Sequence, residues 1–262
     1  METGLRGRVA MVSGASKGIG RAIARALAGE GARLSLAARS EPLLRELAAE
    51  LEDKHGTECL PCGADLTREA DIQRWVRATV ERFGGVDVLV NNAGAIAGGP
   101  FLETPHEAWL EGFQLKLFGY VRMAKEVFPL LRRRGGGRIV NVIGIAGVQP
   151  FPDYMIGNAA NAALINVTKA LANEGAPHAI LVNAVNPGPI RTDRWDGLLV
   201  KWGRAKGVSP QEAEVQLLAD VPLKRAGTPE EVASLVVFLA SDLASYVTGT
   251  AIAVDGGMVR TA

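Results

Sequence analysis

Seven short apolar runs, Val9–Val12, Leu34–Ala38, Glu58–Cys62, Val86–Val90, Arg138–Val142, Leu181–Val185 and Ala251–Val254, are each separated from the next by at least one stretch of helical periodicity. This alternation restricts the fold more than any other feature of the chain. Strands that are apolar throughout must be covered on both faces, and strands joined through helices run parallel to their neighbours. The expected fold class is α/β, a doubly wound parallel sheet with helices on both faces. The 262 residues, 48% of them hydrophobic, suffice for one substantial core. Neither a composition shift nor an internal repeat divides them, so residues 1–262 read as a single domain.

Charge excludes some partners. Lys and Arg total 29 against 28 Asp and Glu, a formal charge of +1, so no overall field draws the chain to nucleic acid or to an acidic membrane. No apolar run approaches the roughly 18 residues of a membrane span, and the opening Met-Glu-Thr-Gly-Leu-Arg-Gly-Arg lacks a secretory pattern. A cytoplasmic protein acting on a small molecule is expected. Cys59 and Cys62, with His55 nearby, are too few for a zinc site, and an extended segment turns them to opposite faces. They read as two buried thiols, and no metal is expected.

The first chemistry lies between the first strand and the first helix. Ser13-Gly-Ala-Ser-Lys-Gly-Ile-Gly20 puts glycines at 14, 18 and 20, where the backbone turns sharply and can approach a pyrophosphate. The next helix offers free N–H groups and the positive end of its dipole. A glycine triplet alone is a weak signal, but this one comes after a strand and opens a helix, as a Rossmann-like dinucleotide fold requires.

The spacing Gly-x-x-x-Gly-x-Gly resembles the short-chain dehydrogenase/reductase family, and further motifs continue the resemblance almost from end to end. Asn91-Asn-Ala-Gly94 looks like the family's segment supporting the sheet and the adenosine side of the cofactor. Ala64-Asp65-Leu66-Thr67 is similar to its adenine-contacting turn. Asn183-Ala-Val-Asn-Pro-Gly-Pro-Ile-Arg-Thr192 resembles the segment that meets the nicotinamide, and Tyr246-Val-Thr-Gly249 with Val254-Asp-Gly-Gly257 resembles the C-terminal signature. The resemblance implies a single NAD(P)-binding Rossmann-fold domain. It assigns cofactor contacts to Gly14, Ser16, Lys17, Gly18, Ile19 and Gly20, to Asp65 and Leu66, to Asn91, Ala93 and Gly94, and to Pro187, Gly188, Ile190 and Thr192.

Charge after the second strand chooses between cofactors. A carboxylate there would accept hydrogen bonds from the ribose and repel a 2′-phosphate. Here Ala38 is followed by Arg39 and Ser40, and Lys17 adds a second cation. NADP(H) is therefore favoured over NAD(H).

At the catalytic positions the pattern breaks. The family uses a tyrosine acid/base, a lysine four residues later, a serine thirteen residues earlier and an asparagine on the preceding long helix. The lysine lowers the phenol pKa and the serine orients the substrate carbonyl. Anchored by Arg138–Val142 upstream and Ala162–Ala172 downstream, these positions fall on Gly157, Asn161, Gly144 and Lys116 respectively. Glycine has no proton to give and asparagine carries no charge. A migrated pair is the candidate replacement. Tyr154, three positions before Gly157, would supply the phenol from about 4.5 Å further back on the helix, and Lys116 the missing cation. Asp153, beside Pro152, reads instead as a helix cap.

Residues 190–221 form the region this family varies to shape its substrate site. Trp195, Leu198, Leu199 and Trp202 make one apolar stripe on a short helix. As packing it needs no ligand; as a lid it favours a bulky apolar substrate. Three functions fit: an NADP(H)-dependent oxidoreductase acting on a carbonyl/alcohol pair with a rebuilt site, a lyase or isomerase that keeps the nucleotide, or a nucleotide-binding pseudoenzyme. The resemblance also implies a homo-oligomer, dimer or tetramer, through long helices near Glu107–Leu131 and Asn158–Glu174.

Overall fold

In a computed structural model, residues 2–94, 96 and 98–260 are described. Strands β1 (Val9–Ser13), β2 (Arg33–Ala38), β3 (Cys59–Gly63), β4 (Val88–Asn91), β5 (Gly137–Val142), β6 (Ile180–Pro187) and β7 (Ala251–Val254) form one sheet in the order β3-β2-β1-β4-β5-β6-β7. Every neighbouring pair is parallel, as the apolar runs predict. β1, β4 and β5 are buried at every residue, because helices cover both faces.

On one face, α1 (Gly18–Gly29), α2 (Glu41–His55) and α9 (Pro229–Ala240) pack Ile23, Leu27, Leu44, Leu47, Val232 and Val236 against Val12, Leu34 and Val88. On the other, α3 (Glu69–Phe83) and α5 (Gly119–Arg133) pack Ile72, Trp75, Met123, Val127 and Leu131 against Met11, Leu89 and Ile139. α6 (Met155–Gly175) completes that face beside β6. Cys59 packs toward the first cluster and Cys62 toward the second, the opposite-face arrangement that an extended segment requires. Both thiols are free and half-buried rather than buried, and burial pushes Cys59 up to about 12.

The buried polar groups around Trp75 are chained to one another. Its indole Nε1 donates to Ser35 Oγ (2.8 Å), Ser35 and Thr79 share a hydrogen bond (2.7 Å), and Thr79 Oγ1 donates to Trp75 O (2.8 Å). The chain keeps all three satisfied where water does not reach. No helix among the described residues is long and apolar enough to cross a membrane.

The expected long helix over Glu107–Leu131 is corrected in one respect. It consists of α4 (His106–Phe113), a π-helical turn over Gln114–Phe118, and α5. Such a turn inserts an extra residue into the hydrogen-bond ladder, rotates the helix beyond it and is frequent at functional sites.

Helix α9 begins at a reciprocal cap. Thr228 Oγ1 accepts from the Glu231 N–H (3.3 Å), and the Glu231 carboxylate accepts from the Thr228 N–H (2.8 Å). The Arg225 guanidinium together with that N–H holds the Glu231 carboxyl at about 2. Thr228→Ala removes one half of the cap. It is expected to cost about 1 kcal/mol and to lower Tm by roughly 2–4 °C in a calorimetric scan, with no change in the far-UV spectrum.

Candidate functional site

The chain's connections reverse direction between β1 and β4. Loops leaving the carboxyl ends of these two strands therefore diverge, and a crevice opens between them. Its walls are stitched by side chains. Ser13, fully buried, accepts the N–H groups of Asn92 (2.9 Å) and Ala93 (3.1 Å) on its Oγ, and Asn92 Nδ2 donates to the carbonyls of Ser13 (3.1 Å) and Gly14 (3.3 Å). One strand further on, Asn91 Nδ2 donates to Asn141 Oδ1 (3.0 Å), and Asn141 Nδ2 donates to Thr168 Oγ1 (3.0 Å), which ties α6 to the sheet.

The glycine loop closes on itself. A Cβ on Gly20 would overlap the Gly14 carbonyl, and Gly14 has φ +66°, a backbone that side chains disfavour. The loop thus delivers α1 with no side-chain cap and no acid in its first turn. Bare N–H groups beside an unobstructed backbone fit a pyrophosphate. Thr192 caps α7 (Asp193–Lys206), accepting from the Trp195 N–H (3.4 Å), and its methyl would stand 3.2 Å from a Cβ on Gly18. The start of α7 therefore overhangs the phosphate loop. Below it, Gly188 at the end of β6 donates its N–H to Val254 O (3.0 Å), while Pro187 and Ile190 are buried. Leu66 is buried too, and the Asp65 carboxylate shapes its own turn by accepting the N–H (3.0 Å) and hydroxyl (2.8 Å) of Thr67. Ser16, Ile19, Ser40, Ala93 and Gly94 are half-buried along the same strand ends. Arg39 is exposed and makes no ion pair among the described residues. Lys17, expected as a second free cation, instead stands 4.0 Å from Asp193 with both side chains exposed.

Lys116 rises from the π turn to the end of β5 and is only 7% exposed. Its Nζ donates to Val142 O (3.0 Å), Ile143 O (3.1 Å) and Tyr120 Oη (3.2 Å), and Tyr120 Oη donates to Val142 O (2.8 Å). Three acceptors suit an ammonium, which has three N–H bonds to give. Burial first, and the Arg194 charge second, oppose it and bring the amine down to about 7. Tyr120, buried beside it, is pushed above the ordinary phenol range by the same desolvation.

Tyr154 is not where helical counting places it. It ends the 3-10 turn Pro152–Tyr154 and stands at the N-cap of α6 with φ −137° and ψ 34°, outside the helix. Released from helical geometry, its ring folds back onto Gly157, so closely that a Cβ there would overlap Tyr154 Cε1 and Cζ. Asp153 is corrected accordingly: the N-cap is Tyr154, and no side chain caps this helix. The cation on Tyr154 is not Lys116, because no hydrogen bond joins them. It is Arg194 on the first turn of α7, whose Nη2 donates to Tyr154 Oη (3.2 Å) and to Ile96 O (3.2 Å).

Gly144 has φ +129°, a conformation nearly closed to residues with a Cβ, and a Cβ there would lie 3.1 Å from Asn161 Nδ2. Asn161 is 3% exposed and its Oδ1 has no partner among the described residues. The apolar stripe on α7 is mostly packing. Trp195 and Leu199 are buried against Ile145 and against Ala213 on α8 (Pro210–Leu217), Trp202 is packed on the same cluster, and Leu198 is 43% exposed. Arg194 and Tyr120 escape a motif-based reading. Tyr120 had a usable signal, four residues after Lys116 on one helix face, whereas nothing local marks Arg194.

Fold and crevice together define a Rossmann-like α/β domain, with a backbone-lined glycine loop at the crevice and Lys116 and Tyr120 at its floor. The family model described as enoyl-(acyl carrier protein) reductase matches residues 14–259. Similar proteins include the 3-oxoacyl-(acyl-carrier-protein) reductase FabG of Aquifex aeolicus, 35% identical over 98% of this chain and 100% of its own. The NADPH-dependent reductase BacG of Bacillus subtilis is 33% identical over 97% and 98%. Among solved structures, L-sorbose reductase from Gluconobacter frateurii, complexed with NADPH and L-sorbose, superposes with a TM-score of 0.96 at 37% identity, covering both chains fully. The chain belongs to the short-chain dehydrogenase/reductase family of oxidoreductases.

Lys116 makes a pH prediction. The titratable or charged groups around it are Tyr120 on α5, Arg194 on α7 and, beyond Tyr120, Tyr154; no carboxylate pairs with it among the described residues. Its folded value near 7 lies below the roughly 10.4 of an unfolded lysine. The unfolded chain therefore binds more protons between those values, and stability rises with pH across that window. Lys116→Met carries no such dependence. Its Tm relative to the native protein is expected to fall by roughly 5 °C between pH 6.5 and 9.5, and a constant difference would contradict a buried titrating amine.

Proposed function

We propose that this protein is an NADP(H)-dependent oxidoreductase acting on a bulky apolar carbonyl/alcohol pair with rebuilt proton machinery. The observation that carries this reading is the Tyr154 ring folded onto Gly157 with its hydroxyl held by Arg194. The volume left by a side chain at 157 is refilled by a phenol, and a cation faces that phenol. Decay of an abandoned site gives no reason for either, which favours an active enzyme over a pseudoenzyme. A serine at 144 would require a different backbone, and a tyrosine at 157 would require Tyr154 to leave. The four positions read as one coordinated replacement.

When bound, the nicotinamide supplies or takes the hydride. Gly14–Gly20 would hold the pyrophosphate, and Arg39 the 2′-phosphate. Tyr154 passes a proton to or from the substrate oxygen. The Arg194 N–H stabilises the phenolate that remains, a role the family gives to lysine. Lys116 adds positive charge at the crevice floor and draws electron density toward the substrate oxygen. The region over 190–221 acts as the lid, and its exposed Leu198 supports an apolar substrate. Exposed Leu110 on α4, Phe118 in the π turn and Val121 on α5 support pairing of two copies through these helices.

Two experiments test the reading. In fluorescence titrations, Arg39→Asp is expected to shift the NADPH-to-NADH affinity ratio at least about tenfold toward NADH, and an unchanged ratio would remove Arg39 from the 2′-phosphate site. With a carbonyl panel and NADPH, Tyr154→Phe is expected to lower kcat by about a hundredfold or more while leaving NADPH binding intact. Full activity in Tyr154→Phe would dismiss the phenol from the mechanism.

A further inference from the structure

Two cationic side chains converge on this crevice, and no carboxylate pairs with either among the described residues. Arg194, an exposed residue, reaches across from α7, and its Nη2 is spent on two neutral acceptors, Ile96 O and Tyr154 Oη. Its Nε–H and both Nη1 N–H groups have no partner among the described residues. The guanidinium stands 6.0 Å from the centroid of the Tyr154 ring. Beneath it, Lys116 also donates only to neutral oxygens, and the two positive charges are close enough to oppose one another.

Of the two acids on the first turn of α7, Asp193 faces Lys17 (4.0 Å), and Asp196, exposed, makes no ion pair with Arg194 among the described residues. Glu214 accepts from Arg191 (2.8 Å) and Trp195 Nε1 (3.3 Å). Several arginines elsewhere in the molecule pair with carboxylates, as Arg8, Arg21, Arg25, Arg134 and Arg225 do. Two neighbouring cationic side chains with no carboxylate between them raise the local positive potential, which an entering anion would lower.

We infer that the substrate carries a carboxylate, which accepts hydrogen bonds from the free edge of the Arg194 guanidinium at the crevice mouth while its reacting carbonyl points inward to Tyr154. This inference rests on the oxidoreductase reading for the carbonyl, but not for the anion. Arg194 then has two duties, holding the Tyr154 hydroxyl and selecting charged substrates over neutral isosteres. A guanidinium suits both, because it is planar, permanently charged and rich in donors. The apolar surface beside it, Leu198 and Met155, would receive the uncharged part of the same molecule.

The test uses aryl oxo acids of increasing chain length, each against its methyl ester, with the full-length protein saturated with NADPH. Binding is read by quenching of NADPH fluorescence and turnover by its consumption. At least one acid is expected to bind ten times or more tightly than its ester. Arg194→Gln should raise KM for that acid at least tenfold and leave KM for the ester within twofold, while kcat falls alike for both. Arg194→Lys should restore part of the acid's KM. Native protein that treats acid and ester alike, or that binds neither, overturns the inference, as does Arg194→Gln raising both KM values together. Acid-selective binding without turnover leaves the anion site standing and overturns the oxidoreductase reading instead.

Discussion

Everything functional in this molecule hangs on how the chain manages the point where β1 and β4 part. Parallel neighbours share backbone hydrogen bonds only as far as they run side by side. Beyond Ser13 and Asn91 the two backbones diverge, leaving N–H and C=O groups that the sheet no longer pairs with each other. Ser13 Oγ and the Asn92 amide take over the pairing. Because they fix Ser13 and Gly14 against Asn92 and Ala93, the glycine loop leaves the sheet in one direction and aims the bare N-terminus of α1 into the crevice. The Asn91–Asn141–Thr168 chain extends the same solution across to α6, so phosphate loop and reaction site share one frame.

On that frame the proposed reaction site combines groups that fit one another. Gly157 leaves room, and Tyr154 fills it. Gly144 adopts a backbone that disfavours any side chain, and a Cβ there would press on Asn161. Lys116 occupies the floor, and the end of β5 supplies it with two carbonyls. Its amine is tuned by opposing influences: three acceptors favour the ammonium, while burial and Arg194 disfavour it.

Much of the fold was legible. The seven apolar runs became seven parallel strands because a strand buried on both faces leaves an uninterrupted apolar signature. Thr228-Pro-Glu-Glu231 and Ser209-Pro-Gln-Glu212 carry the local Ser/Thr-x-x-Glu pattern of a helix start, and both are reciprocally capped. The glycine loop was legible for a similar reason, since its chemistry resides in the missing side chains. Anything set by distance in space escaped. The π turn at Gln114–Phe118 depends on how α4 and α5 are held by their neighbours. Helical counting misplaces Tyr154, because the 3-10 turn before α6 takes it out of register. Arg194 lies 40 positions from Tyr154 along the chain, and no motif connects them.

The sequence by itself determined the parallel sheet, the phosphate loop and the absence of a serine, tyrosine and lysine at 144, 157 and 161, since these depend on residue identity and short-range periodicity. Tertiary structure alone decided which groups stand near those positions. The Tyr154 phenol, the Arg194 guanidinium and the buried Lys116 amine come together only because three separate elements bring them to one crevice, and their charges depend on the dielectric that the packed fold creates around them.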